Sequence, residues 1–336
     1  DPDAVERFAA AAHWPVLADP LSGARQGPNA ISTYDALLRS PGVLKSLRPD
    51  VALRLGAPLT GRAGSSWLDA SVRQILVDPD GAWLDPNRSS AERIVADPSA
   101  LLDAVTARGP ARSQSFWQSS WLSAERAARR ELDRLLDTWT EPFEGRVARD
   151  LVAGLRSGTT LVVGSSMPVR DVESFARPRA GLRFLCNRGV NGIDGFVSTV
   201  LGAASAGEPA VALCGDLTFL HDAGGLLGAG RRQLDATFVV IDNDGGGIFN
   251  FLPQAGGDHF ETLFGTPHGI DAGPIVTALG HRHALVDTDA LAAALAAAIA
   301  TPGLDVLELR TDRARNVELH RAAAALVAHA LAELAS

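Results

Sequence analysis

The sequence predicts an α/β protein with two parallel-sheet domains, the second a doubly wound sheet of six strands. Three observations carry this. Short apolar, β-branched runs alternate with helix-spaced segments along most of the chain, which is the pattern of crossover units. Residues 211–214 and 237–241 are two such runs with helical spacing over 220–230 between them, and together they make one βαβ unit. Both runs end in residues that serve ligands. Gly215-Asp216 follows the first, and Asp242-Asn243-Asp244 with Gly245-Gly246-Gly247 follows the second. In such sheets ligands sit beyond the carboxyl ends of the strands.

In chain order, residues 16–18 read as a short strand and 32–40 as a helix with Ser32 as its cap. Residues 51–56 are a strand. A short helix over 64–70 and a strand over 73–77 come next, then a strand at 91–95 and a helix at 100–107. This alternation implies a small parallel-sheet domain over roughly residues 1–108. Residues 113–138 form a long helical stretch with Trp117, Trp121, Leu122, Leu132, Leu135 and Leu136, its charges mostly on another face. It reads as a helix packed between domains. The central domain with this linking helix is placed at 1–140 and the second domain at 141–336.

The second domain opens with a helix over 146–155. Its strands are 160–163, 182–186, 210–214, 237–241, 283–286 and 305–309. Helices are expected at about 170–175, 194–206, 221–230, 273–279, 289–300 and 314–334. Six strands with helices between them make the doubly wound sheet.

Composition narrows the function. The chain has 336 residues, 46% of them hydrophobic, enough for two domains with proper cores. Net charge is −8 and no run of Lys or Arg stands out, so nucleic acid and membrane surfaces are not expected as partners. No apolar run is long enough to span a bilayer. Two cysteines, Cys186 and Cys214, offer neither a disulfide framework nor a zinc spacing, and a reducing cytoplasm is the expected compartment. The opening reads without a signal peptide. Asp1-Pro2-Asp3 has no Met before it, so the chain is read as cut or processed.

Asp216 and Asn243 stand one crossover apart, at the ends of their strands. A carboxylate, an amide oxygen and a backbone carbonyl are hard oxygen ligands of the kind Mg²⁺ takes. Gly245 could turn its carbonyl inward, since glycine tolerates unusual backbone angles. The neighbouring glycines let backbone N–H groups approach a diphosphate. Taken singly, each residue also reads as an ordinary turn residue. Gly164-Ser165-Ser166, with Arg170 one turn in, makes an anion site at the end of another strand; a capped helix with a solvated arginine fits the same residues. Residues 184–195 follow the next strand and hold Gly189, Gly192 and Gly195, which suit a loop folded around a ligand. Arg188 there and Arg170 put two guanidiniums at one edge, a fit for substrates with several carboxylates. Arg54 and Arg62 read as solvated surface, with an anionic effector as the alternative.

Gly215-Asp216 followed by Asn243 resembles the thiamine diphosphate (ThDP) motif, with Leu217 in place of a third glycine and Asp242 where an Asn is common. These departures, with GSSMPVRD, NRGVNGIDG, NDGGGIFNFLP and FETLFGTPHGID in order, resemble one branch of the superfamily. It is the 2-succinyl-5-enolpyruvyl-6-hydroxy-3-cyclohexene-1-carboxylate (SEPHCHC) synthase, or MenD, family of menaquinone biosynthesis. The first domain resembles the family's middle domain in pattern and position.

The resemblance implies a ThDP diphosphate-binding fold for the second domain. It implies Mg²⁺ or Mn²⁺ on Asp216, Asn243 and the Gly245 carbonyl, and ThDP against Ser165, Asn191, Gly192, Ile193, Gly215, Asp216, Leu217, Asn243 and Gly245. Ile193 would lie under the bent cofactor. Ser166, Arg170 and Arg188 would meet substrate carboxylates, with Ile248 and Phe249 as the apolar wall or as plain core packing. The implied reaction decarboxylates 2-oxoglutarate and adds the resulting carbanion to isochorismate. The activating glutamate is expected on an N-terminal pyrimidine domain outside these residues, so no catalytic residue is assigned here. Glu261 and Glu308 are not nominated as substitutes. A homodimer or homotetramer is implied, with a site shared between subunits. Two alternatives stay open: another ThDP-dependent 2-oxo acid decarboxylase or lyase, and a non-catalytic ThDP-binding subunit. A nicotinamide enzyme is disfavoured, because no G-x-G-x-x-G opens a helix after a first strand.

Overall fold

The alternation of strands and helices folds as two all-parallel sheets, one of three strands and one of six. The computed structural model describes residues 1–68, 71–82, 84–109, 116–190 and 192–335; the side chains of residues 41, 43, 44 and 333–335 lie outside that description. The chain divides into two compact units. Unit 1 is Asp1–Leu135 with Pro178–Ala180 and Ala324–Ser336; unit 2 is Leu136–Arg177 with Gly181–Ala323.

Unit 1 runs α1 (Pro2–Ala12), α2 (Tyr34–Leu37), α3 (Pro41–Ser46), β1 (Val51–Leu55), α4 (Arg62–Trp67), β2 (Arg73–Val77), β3 (Ser90–Ile94), α5 (Pro98–Arg108) and α6 (Phe116–Thr138). The helix starts follow capping rules. The Asp1 carboxylate accepts from Asp3 N–H, and the Asp97 carboxylate accepts from Ala100 N–H, each with a proline at the first helical position. The sheet order is β1-β2-β3, with a register irregularity between Gln74 and Ile75. On α6, Trp121, Ala128 and Leu132 are buried, and the Trp121 ring packs edge-on against Trp67 at 5.6 Å. The start expected for this helix, residues 113–115, lies outside the described residues.

Three expectations for unit 1 need correction. Residues 16–18 form no strand, only an isolated bridge from Val16 to Ala30. The helix at 32–40 shrinks to Tyr34–Leu37, and Ser32 does not cap it. Ser32 Oγ donates instead to Glu125, and the other Glu125 oxygen accepts from Thr33 N–H at 2.8 Å. A carboxylate from α6 thus takes the donors that local capping was expected to satisfy. Arg54 is no solvated residue. Its side chain is 14% exposed and lies 3.0 Å from Asp85 Oδ1, with further bonds to Gln74 Oε1 and the Leu84 carbonyl.

Unit 2 runs α7 (Glu144–Gly154), β4 (Thr160–Val163), α8 (Met167–Phe175), β5 (Arg183–Leu185), α9 (Phe196–Ala204), β6 (Ala210–Gly215), α10 (Asp216–His221), β7 (Ala236–Asp242), α11 (Ala272–Ala278), β8 (Arg282–Leu285), α12 (Leu291–Ala300), β9 (Leu304–Arg310) and α13 (Arg313–Ala335), which ends in unit 1. The strand order is β5-β4-β6-β7-β9-β8. β4, β6, β7 and β9 are buried almost throughout, which is why they read as continuous apolar runs. Phe196, Val200, Phe219 and Val276 share one core with the strand residues Ala212, Phe238 and Val240. Burying a side chain such as Phe238 is worth roughly 1.5–3 kcal/mol.

This order places β4 between β5 and β6. The chain leaves β4 to build β5 on one side, then returns to build β6 on the other. That is a topological switch point, where open α/β sheets bind ligands. The two strands are pulled close at that point. Gly164 N–H donates to the Leu213 carbonyl at 2.7 Å, and a Cβ at 164 would lie 3.2 Å from Cys214 Cβ.

The helix expected at 221–230 is displaced. α10 starts at Asp216, directly after the strand, and ends at His221; only short 3₁₀ turns, Ala223–Leu226 and Gly230–Arg232, come after it. Gly225 packs against α9, where a Cβ would meet Ser198 Oγ at 2.9 Å, and Gly228 has a φ of 82°. Glycine in these roles interrupts helix continuity. No helix among the described residues is long and apolar enough to cross a membrane.

Candidate cofactor site

Asp216 enters the site as the first residue of α10, at the carboxyl end of β6. It is 4% exposed. Its Oδ1 accepts from Leu217 N–H at 2.6 Å and its Oδ2 from Gly245 N–H at 2.8 Å. His268 Nε2 lies 3.1 Å from the same Oδ2. Burial pushes the Asp216 carboxyl above its ordinary value, and the bonds from Gly245, His268 and Leu217 offset part of that rise.

Asn243 is the first residue after β7, the neighbour of β6. It is buried. Its Nδ2 donates to Glu144 Oε1 at 2.9 Å. Its Oδ1 is buried and has no hydrogen-bond partner among the described residues. A buried amide oxygen without a partner costs about 1–3 kcal/mol, and a cation satisfies it. The donor set therefore fits a hard divalent ion: a buried carboxylate, an unpartnered amide oxygen and a glycine backbone at adjacent strand ends.

Gly245 has a φ of 137°, and a Cβ there would lie 2.0 Å from the Gly265 carbonyl oxygen. Only glycine fits. The loop is pinned further by Gly246 N–H to Gly265 O at 2.7 Å, and by Asp244 Oδ1 accepting from His268 and Gly269 N–H at 2.9 and 2.8 Å. The segment 260–271 thus holds the loop after β7 in place. Gly245→Ala is expected to cost about 1–3 kcal/mol from backbone strain alone, and more from the overlap with Gly265. Gly256→Ala, where a Cβ meets nothing within 4 Å, should stay within about 0.5 kcal/mol of the parent. Urea unfolding of both variants checks this; equal stabilities would contradict it.

The residues expected to meet an anion lie on the loops after β4 and β5. Ser165 Oγ donates to the Asn187 carbonyl at 3.1 Å, and a Cβ at Gly192 would lie 3.9 Å from Ser165 Cβ. Ser165 and Gly192 are thus brought together. Ile193 is half-buried. Asn191 lies outside the described residues. Ser166 adopts a φ of 76°, and Arg170 Nη1 donates to its carbonyl at 2.6 Å. Arg188 is exposed on the loop after β5. Ile248 and Phe249 lie half-buried in a 3₁₀ turn, Gly247–Phe251, with the Phe249 ring 5.5 Å from Phe264.

Two residues near the centre, Glu144 and His268, were given no role from the sequence. Glu144 is 99 positions from Asn243. Asp242 and His268 carry ligand atoms that lie, with Asp216, within 4.8 Å of one another. Glu308 and Glu261 are engaged elsewhere, Glu308 with His283 and Arg310 and Glu261 with Arg313.

Two families match in sequence. Residues 1–162 match "Middle domain of thiamine pyrophosphate", and residues 167–309 match "Thiamine pyrophosphate enzyme, C-terminal TPP binding domain". Thiamine pyrophosphate is ThDP. The two matches cover both domains of the chain, each as a domain of thiamine pyrophosphate enzymes. The chain is similar to curated proteins named SEPHCHC synthase. It is 41% identical to that of Geobacillus thermodenitrificans over 95% of this chain and 56% of the relative. It is 43% identical to that of Chloroflexus aurantiacus, over 95% and 57%, and 43% identical to that of Thermobifida fusca, over 98% and 59%. The resemblance read from the sequence blocks is borne out, and the match to the TPP binding domain includes Asp216, Asn243 and Gly245. The chain spans a little over half the length of these curated relatives.

Proposed function

We propose that the protein carrying this chain is a ThDP- and Mg²⁺-dependent SEPHCHC synthase, with Mn²⁺ as the other admissible ion. The observation that supports this reading best is the pairing of buried Asp216 with the unpartnered Asn243 Oδ1 at adjacent strand ends. Asp216, Asn243 and the Gly245 carbonyl hold the metal on the diphosphate. Ser165, Asn191, Gly192, Ile193, Gly215 and Leu217 line the cofactor. Bound ThDP supplies the electron sink for decarboxylation of a 2-oxo acid. Ser166, Arg170 and Arg188 bind the carboxylates of 2-oxoglutarate and isochorismate, and Ile248 and Phe249 form the apolar wall that excludes water.

Residues 141–336 are the diphosphate-binding domain in this reading, and 1–140 the central domain with its linking helix. The activating glutamate comes from outside residues 1–336, in a homodimer or homotetramer in the cytoplasm. The test is turnover by the full-length protein with 2-oxoglutarate and isochorismate. Formation of SEPHCHC is expected, and residues 1–336 alone should show none. Turnover of pyruvate in preference to 2-oxoglutarate would favour a different lyase. No turnover of any 2-oxo acid, with ThDP still bound, would favour a binding subunit.

A further inference from the structure

The geometry points to Glu144 as the positioning residue that turns the Asn243 amide so that its oxygen, rather than its NH₂, faces the cation. The inference rests on the proposed reading of Asp216 and Asn243 as cation ligands.

Glu144 is the first residue of α7 and is 1% exposed. Its Oε1 accepts from Asn243 Nδ2 at 2.9 Å and from Thr311 Oγ1 at 3.0 Å. Asn243 follows β7 and Thr311 follows β9; these strands are neighbours, with Asp242 opposite Arg310. One buried carboxyl therefore ties together two adjacent strand ends. A carboxylate only accepts hydrogen bonds, so the Asn243 group facing it must be the donor, Nδ2. The planar amide then points Oδ1 the other way, where it is buried and unpartnered among the described residues. Gly247 makes room for this arrangement, because a Cβ there would lie 2.7 Å from Asn243 Nδ2. Burial, and next the nearby Asp171, push Glu144 up to about 7. The orientation holds in either protonation state, since a protonated carboxyl can keep one oxygen as an acceptor.

This also gives a physical reason for an amide rather than a carboxylate at 243. Asp at that position would set two carboxyl groups face to face in a buried pocket, where like charges are costly. Glu144 touches no substrate in this scheme. It acts through Asn243, as partners of metal ligands do when they fix ligand orientation.

The test is a Mn²⁺ titration of the full-length protein in saturating ThDP, followed by electron paramagnetic resonance of free Mn²⁺. Glu144→Ala leaves Nδ2 without its acceptor and is expected to weaken Mn²⁺ binding by about 10- to 100-fold. Glu144→Gln keeps an oxygen able to accept from Asn243 and is expected to remain within about three-fold of the parent. A Glu144→Ala protein that binds Mn²⁺ within about two-fold of the parent overturns the assignment, as does a Gln variant as weak as Ala. If the alanine variant does not fold, Glu144→Met, of similar length, carries the same two outcomes. Asn243→Ala separates the two layers of the argument. Unchanged Mn²⁺ binding in that variant removes the ligand reading itself. Loss there with no loss in Glu144→Ala removes only the positioning role.

Discussion

Asp216→Ala is expected to abolish Mg²⁺-dependent binding of ThDP by the full-length protein, with a loss of roughly 100-fold or more in apparent affinity. The carboxylate is the only charged group among the three proposed ligands, and charge count sets much of a hard cation's affinity. The substitution also frees Gly245 N–H, which donates to Asp216 Oδ2 at 2.8 Å. Two ligand positions are therefore affected at once, since that bond holds the glycine whose carbonyl is the third proposed ligand. Calorimetric titration of ThDP with and without Mg²⁺ reads the effect, at a temperature where circular dichroism shows the variant folded. Unchanged affinity would mean that the metal site lies elsewhere. The set of Asp216, Asp242 and His268, whose ligand atoms lie within 4.8 Å of one another, would share that failure, since it also contains Asp216.

Arg54→Met is expected to destabilise unit 1 by about 3–5 kcal/mol. The Arg54 and Asp85 side chains are 14% and 4% exposed, and their charges lie 3.0 Å apart. Removing the guanidinium leaves Asp85 buried without its counter-charge, while keeping most of the apolar stem. Burial on its own would raise the Asp85 carboxyl. The Ser90 N–H, the Arg54 guanidinium and the Ser90 and Ser89 groups outweigh burial and hold it well below its ordinary value of 3.8. A depressed folded-state pKa contributes stability that is present above the unfolded value and is lost as pH falls. The native protein should therefore keep this contribution above about pH 4 and lose it progressively below. In Arg54→Met the folded carboxyl moves back up toward its unfolded value, so the loss on acidification should be smaller and should be complete at a higher pH. Denaturant unfolding at pH 7 and across the acid range measures both effects. A change below about 1 kcal/mol at pH 7 would place the pair with weak surface ion pairs.

Unit 2 was legible where burial is uniform. β4, β6, β7 and β9 lie inside the sheet, so nearly every position along them is apolar and the runs stand out. The edge strands β5 and β8 differ from their expected bounds by one residue at each end, no more than the buried strands β7 and β9 do. The helix after β6 was misplaced. Local spacing favoured 221–230, but the strand end turns straight into α10 at Asp216, and Gly225, packed on α9, interrupts the helix beyond His221.

Asp216 and Asn243 were legible as a pair because each stands at the end of its own strand, and strand ends are a local property of sequence. Gly245 was legible as a glycine, though the reason that no other residue fits, the Gly265 carbonyl 2.0 Å from its missing Cβ, is tertiary. The partners of these residues were not legible at all. Glu144 comes from a helix start 99 positions away, and His268 reaches Asp216 from 52 positions away. The same separation hid Glu125 behind Ser32 and Asp85 behind Arg54.

The sequence by itself therefore determined the α/β class, the strands of the buried sheet and the placing of Asp216 and Asn243 at two of its strand ends, since all of these arise from short-range patterns of apolar and polar residues. The tertiary structure alone decided the strand order β5-β4-β6-β7-β9-β8, with its switch point at β4. It alone decided which way the Asn243 amide faces, because an amide's orientation depends on the group packed against it, and that group arrives from a distant part of the chain.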